Sequence, residues 1–244
     1  MAYDGDGSFS GNTAIGTSAL GQVTTATSNN CVGYRAGYAL TTGSNNNFFG
    51  YGAGVGSTTG GFNSGFGHTP FGNALTGSYN TAMGTRADFN RTSGSYCTGL
   101  GYNALGTSAT ASGEMTLGDG NISNLRCNDT SISSLSDSRD KTDIVDIPLG
   151  IDFLNTVRPV AFTWDRRDGI TSTFKTKDFG FLAQELKVAE DATDYVDHMR
   201  LTNDVNPDLL EADPMKMFPI VIKALQELST QNEALTARIT ALEA

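Results

Sequence analysis

The chain has 244 residues, with 16 Lys and Arg against 26 Asp and Glu, a formal net charge of −10, 29 glycines and two histidines. That acidic balance argues against a nucleic-acid or polyanion-binding face, and no apolar run approaches the roughly 18 to 20 residues of a membrane span. The start, Met1-Ala2-Tyr3-Asp4, lacks the basic and apolar regions of a signal peptide, so the expectation is a soluble product made in the cytosol.

From the first residues onward the chain repeats. Gly16, Gly33, Gly50, Gly67, Gly84, Gly101 and Gly118 stand seventeen apart, and each follows an apolar residue: Ile15, Val32, Phe49, Phe66, Met83, Leu100, Leu117. Asn12, Asn29, Asn46, Asn63 and Asn80 keep the same register, as do Ala19, Ala36, Ala53, Ala87 and Ala104, with Pro70 interrupting the alanines. A short fixed period means that each unit buries little alone and must stack on its neighbours. A helix is excluded by cost, because 26 of the 29 glycines fall in residues 1 to 135 and each costs about 1 kcal/mol relative to Ala inside a helix.

Short β-strands joined by tight turns are therefore predicted, with turns at pairs such as Thr42-Gly43, Thr59-Gly60 and Thr76-Gly77 and with side-chain hydrogen bonds running from Asn to Asn. The apolar residue before each glycine is expected to point inward. A disordered Gly/Ser/Asn linker is the low-complexity alternative, and the strict apolar columns argue against it. One apolar residue per turn makes a thin core, so partner chains are expected to complete it in a trimeric β-roll or β-prism that also hides strand edges. Cys31, Cys97 and Cys127 lack CxxC spacing and read as free thiols; with only His68 and His198 beside them, no metal or other cofactor is predicted.

Near residue 135 the composition changes. Residues 1 to 135 hold 10 of the 42 charged side chains and residues 136 to 244 hold 32, which predicts two domains with those boundaries. The second reads as a small α+β unit: a helix over Pro148 to Val157, strands over Val160 to Trp164 and Phe179 to Leu182, a turn or hairpin over Asp165 to Thr173, and an irregular acidic stretch over Asp191 to Asp213. A final helix over about 216 to 244 fits heptads. Phe218, Leu225, Asn232 and Ile239 take one core position and Val221, Leu228, Leu235 and Leu242 the other, a coiled-coil stripe in which Asn232 would set register. The alternative is an amphipathic helix packed on its own domain.

Between the two domains runs Leu135-Ser136-Asp137-Ser138-Arg139-Asp140-Lys141-Thr142-Asp143-Ile144, followed in order by Val160-Ala161-Phe162-Thr163-Trp164, Gly180-Phe181-Leu182-Ala183-Gln184-Glu185-Leu186 and Ile222-Lys223-Ala224-Leu225-Gln226-Glu227-Leu228. Over residues 136 to 244 this series resembles the intramolecular chaperone domain that ends phage tail fibres and endosialidase tailspikes and also occurs in myelin regulatory factor. The Asn12 to Gly16 phrasing is similar to phage fibre and trimeric adhesin repeats.

The resemblance implies a homotrimeric chaperone that helps the preceding segment to fold and then severs itself with a Ser/Lys dyad. On this chain the scissile bond is Leu135-Ser136, with Ser136 as nucleophile and Lys141 as general base. Asp137, Arg139, Gln184 and Glu185 are supporting candidates, with Arg139 expected to pair with a nearby carboxylate. A lysine base must lose its charge, and an ordinary lysine is neutral only about once in 2,500 at pH 7; Asp137, Asp140 and Asp143 are expected to hold the ammonium charged until assembly desolvates it. Read without the resemblance, Ser-Asp before a helical segment is usually a cap.

The function so implied is a phage tail-fibre protein of the virion, assembled in the host cytoplasm, that binds other tail proteins and a host surface receptor, a glycan among the candidates. Two alternatives stand beside it. One is a trimeric adhesin that does not cut; the other is a glycan-degrading tailspike, for which Asp4, Asp6, Asp88, Glu114, Asp119 and Asp129 are the available acids.

Overall fold

The computed structural model describes residues 11–122, 124–128, 132–165 and 177–243. It falls into two compact units, Met1–Leu125 and Arg126–Ala244. In the first, each anchor glycine follows a three-residue strand: β1 Thr13–Ile15, β2 Asn30–Val32, β3 Asn47–Phe49, β4 Ser64–Phe66, β5 Thr81–Met83, β6 Thr98–Leu100 and β7 Met115–Leu117. All seven form one parallel sheet in chain order. Every pairing is offset by one repeat, as in Ala14 opposite Cys31 and Cys31 opposite Phe48. The unit is a β-solenoid of about six turns. Glycine is required at the corners: Gly16 has φ +123°, and a Cβ there would lie 2.5 Å from the Gly33 carbonyl oxygen.

The apolar column does not point inward. Alternate strand residues face opposite sides, and the middle residue of each strand takes the interior, so Cys31, Phe48 and Ala82 are buried while Ile15, Phe49, Phe66, Met83 and Leu117 are exposed. The interior also fills within one chain, contrary to the expectation that partners would complete it. Leu20, Leu40, Phe48, Phe71 and Leu75 supply its bulk between the alanines. Volumes compensate from turn to turn: Phe48 and Phe71 meet edge-on with centroids 6.3 Å apart, and Gly65 makes room for both, since a Cβ there would sit 3.1 Å from one ring and 3.2 Å from the other.

Asn29, Asn46, Asn63 and Asn80 are fully buried and form a ladder. The Asn46 Nδ2 donates to Asn29 Oδ1 at 3.0 Å and to the Gly60 carbonyl at 2.9 Å, and its own Oδ1 accepts from the Asn63 backbone N–H at 2.9 Å. Each amide thereby satisfies polar backbone groups of two turns that no sheet bond reaches. Pro70 fits the alanine column for a related reason. That column links to the preceding turn through its carbonyl, as in Gly54 N–H to Pro70 O at 2.9 Å, so a residue without an N–H keeps the bond between turns.

The second unit contains α1 Ile151–Leu154, β8 Val160–Thr163, β9 Lys177–Gly180, α2 Ala183–Asp191, α3 Val196–Met199, β10 Thr202–Asn203, β11 Glu211–Ala212 and α4 Phe218–Glu243. β8 and β9 pair antiparallel, as do β10 and β11. The first helix is shorter than Pro148 to Val157, because Gly150 offers no side-chain cap and the chain tightens into i−3 bonds at Thr156 and Val157. The second strand begins and ends two residues earlier than predicted, since Leu182 already forms the N-cap of α2. The turn or hairpin predicted at Asp165 to Thr173 lies, apart from Asp165, outside the described residues. Asp191 to Asp213, predicted irregular, contains α3 and the β10–β11 pair.

Phe153, Leu186, Met199, Leu201, Met217 and Ile220 form the core of this unit. Helix α4 docks through Ile220 and Ala224, which are buried, and Glu227 Oε2 accepts from Ile151 N–H at 2.9 Å, satisfying a free donor at the start of α1. Its heptad stripe is a different face. Phe218, Leu225, Leu228, Leu235, Ile239 and Leu242 are all exposed along it.

Candidate functional site

The junction segment owes its shape to local hydrogen bonds. Asp137 caps a 3-10 turn over Ser138–Asp140, its Oδ1 accepting from the Arg139 N–H at 2.9 Å. The Arg139 side chain folds back on the same carboxylate, with Nε 3.0 Å from Oδ1 and Nη2 2.6 Å from Oδ2. That turn reverses the chain, and Lys141 returns its Nζ to 2.6 Å from Ser136 Oγ and 3.3 Å from the Ser136 carbonyl oxygen. A hydroxyl and an amine five residues apart thus stand in direct contact.

Electrostatically the segment sorts its charges. The Arg139 guanidinium holds the Asp137 carboxyl below the usual carboxylate range, and Asp137 raises Arg139 in turn. Asp137 was expected to hold the Lys141 ammonium in its charged form; it is committed to Arg139 instead. The surroundings are open. Every described residue from 124 to 148 is exposed, among them the apolar Ile132, Leu135, Ile144 and Val145. Cys127 is exposed as well, whereas Cys31 and Cys97 are buried, and burial pushes the Cys31 thiol up to about 12.

Gln184 and Glu185, named as supporting candidates, lie in the first turn of α2. Glu185 binds Arg158, whose Nε lies 3.0 Å from Glu185 Oε2, and this pairing lowers the Glu185 pKa. The structure brings Ser136, Lys141, Asp137 and Arg139 together and gives Glu185 to a separate ion pair.

Residues 136–196 match the family model of the chaperone of endosialidase, a peptidase family. The match spans about a quarter of the chain, opens on Ser136 and includes Lys141, Gln184 and Glu185. A β-solenoid followed by this chaperone-of-endosialidase segment is a tail-fibre-like organisation. Helix α4 lies beyond the matched residues. No curated protein and no solved structure matches the chain.

One carboxylate of the solenoid, Asp88, lies in its interior, and a second, Glu114, is half-buried beside it. Asp88 and Arg91 are both buried, with Arg91 Nε 2.9 Å from Asp88 Oδ2, and Glu114 approaches the same guanidinium at 3.5 Å. Burial raises the Asp88 pKa against the opposing pull of Arg91. Asp4, Asp6 and Asp129 lie outside the described residues. Sequence reasoning did not pick out the stacked aromatic columns Tyr34–Tyr51–His68 and Phe62–Tyr79–Tyr96, with centroids 4.9 to 5.0 Å apart. Their seventeen-residue spacing was the available signal.

Proposed function

We propose that this chain is a trimeric tail-fibre component whose C-terminal unit aligns three copies and then releases itself by cutting Leu135-Ser136. The observation that carries this reading is the 2.6 Å approach of Lys141 Nζ to Ser136 Oγ at the start of the matched chaperone segment. Lys141, once neutral, takes the Oγ proton. Ser136 Oγ then attacks the Leu135 carbonyl carbon, the C–N bond breaks as the Ser136 nitrogen gains a proton, and an ester joins Leu135 to Oγ. Water hydrolyses the ester to a Leu135 carboxylate and restores the hydroxyl, so each chain acts once.

Assembly gates the reaction in this account. Lys141 is exposed in the single chain, together with Leu135, Ile144 and Val145, and a charged ammonium cannot serve as a base. Packing of three copies around this apolar segment would desolvate the amine and favour its neutral form. The heptad stripe of α4, with Leu225, Leu228, Leu235, Ile239 and Leu242 exposed and Val221 half-buried around Asn232, gives the copies a means of alignment. Three held chain ends raise the effective concentration for docking one solenoid on another, and cutting leaves a solenoid whose durability is kinetic.

On this reading the mature product is part of the virion, docked to other tail proteins and presenting the solenoid to a host surface receptor. Denaturing gels test it: wild-type preparations should contain fragments 1–135 and 136–244, and Ser136→Ala should leave one full-length band. A wild-type chain that stays whole in an assembled trimer would favour the non-cleaving adhesin. The tailspike reading is disfavoured by the burial of Asp88 and its ion pair with Arg91.

A further inference from the structure

The apolar column that the solenoid turns outward forms an unbroken line. Ile15, Val32, Phe49, Phe66, Met83, Leu100 and Leu117 occupy the last position of successive strands in direct register, and Phe49 stacks on Phe66 with centroids 5.1 Å apart and planes 1° from parallel. Across the glycine corners runs a second column: Thr17, Tyr34, Tyr51, His68, Thr85, Tyr102 and Asp119. The two columns carry no Lys or Arg, and Asp119 in the last turn is their one acidic residue. Single exposed apolar residues are ordinary, but a line of them along seven strands is not.

We infer that this double column is the seam along which copies of this chain pack in the trimer, an inference that rests on the trimeric reading above. Three observations favour a copy of the chain as the occupant. Its surface rises by one strand spacing per turn, so a copy related by rotation about a parallel axis presents a matching step at every turn, a periodicity that an unrelated protein lacks. A three-fold assembly joins two different patches of one chain at each interface, and here an aliphatic and phenyl column lies beside a tyrosine column. Residues 1 to 135 hold only 10 of the 42 charged side chains, and a face almost free of them packs on a copy without burying an unpaired charge.

The other exposed ladder cannot play this part along the full length. Phe62, Tyr79 and Tyr96 share their column with Gly11, Ser28, Asn45 and Gly113, so only three turns carry a ring there. That ladder supplies the control.

The test uses the full chain in a Cys127→Ser background with either Met83→Cys or Tyr79→Cys. In the single chain these positions are equally open, at 48% and 49% exposure. After native assembly, Met83→Cys should react with a maleimide at least tenfold more slowly than Tyr79→Cys. Equal rates in a particle of trimer mass would overturn the seam while leaving the trimer intact. A particle of monomer mass would overturn the trimeric reading and the seam with it. As a second measurement, Phe66→Asp should lower the melting temperature of the assembled protein and Phe62→Asp should not; an equal loss from both would overturn the assignment.

Discussion

Lys141 Nζ stands 2.6 Å from Ser136 Oγ, and the turn that brings them together is capped by Asp137 and held by Arg139. Proximity of this kind supplies positioning and leaves the protonation state to be set by the surroundings. Replacing Lys141 with Met removes the base while keeping the length of the side chain. Cleavage should fall by about a hundred to ten thousand fold, followed as the half-life of the full-length band, with trimer mass unchanged. Cleavage of Lys141→Met at the wild-type rate would remove Lys141 from the chemistry.

Arg139 is paired with Asp137. With the guanidinium gone, the freed carboxylate can turn to the Lys141 ammonium and stabilise its charged form. A lysine whose pKa is raised delivers its neutral form only at higher pH, so the rising limb of the pH–cleavage profile should move to more alkaline pH in Arg139→Gln. Adding Asp137→Asn should move it back. A profile unshifted in the single variant would mean that Arg139 serves only the turn.

The asparagine ladder is the most exacting feature of the solenoid interior. Asn46→Ala removes three hydrogen bonds and leaves the Asn63 N–H and the Gly60 carbonyl without their partner, a loss of about 2 to 4 kcal/mol. Denaturant unfolding followed by circular dichroism would read this as a lower midpoint.

The buried Asp88–Arg91 pair makes the solenoid sensitive to loss of one partner. Arg91→Met strands Asp88 and should destabilise by about 3 to 5 kcal/mol at pH 7, and Asp88→Asn in the same chain should recover much of it. The sign with pH follows from the direction of the Asp88 shift. Its folded pKa is raised above the ordinary 3.8, so the folded chain holds that proton more tightly, and this contribution to stability is greatest below the ordinary value and is lost as pH rises through the raised one. In Arg91→Met the carboxyl has lost its cation, and the defect should shrink as the pH is lowered towards 4. Thermal melts at pH 4.5 and 7 would show it.

Cysteine reactivity reports the same interior. Cys31 is buried with its thiol pushed up to about 12, Cys97 is buried too, and Cys127 is exposed. A thiol reagent at pH 8 should modify one cysteine per native chain, at Cys127, and three after unfolding. Peptide mapping by mass spectrometry would assign them.

The repeat period was legible because each turn copies the last. Anchor glycines gave the seven-fold period and the expectation of short strands, whose positions just before each glycine come from the structure, and the asparagine column disclosed its ladder, since both depend on one residue type recurring at a fixed step. What the pattern concealed was the inward column. Ala14, Cys31, Phe48, Gly65, Ala82 and Gly99 vary in size because Phe48 and Phe71 borrow space from Gly65 and from Gly54, so no consistent apolar signal marks it, and the more regular outer column drew the inward assignment. At the junction the motif placed Ser136 beside Lys141, while the allocation of Asp137 to Arg139 is decided by a backbone turn that spacing alone does not define. Gly150 shortened the first helix for a similar local reason, the lack of a cap.

Intact mass of the purified wild-type product, taken with its N-terminal sequence, tests the central claim most directly. The expected result is two species: a fragment ending at Leu135 with a free carboxylate, and a fragment whose first residue is Ser136 with a free amine. A single species with the mass of all 244 residues, in a preparation that is fully assembled, would contradict self-cleavage at this bond.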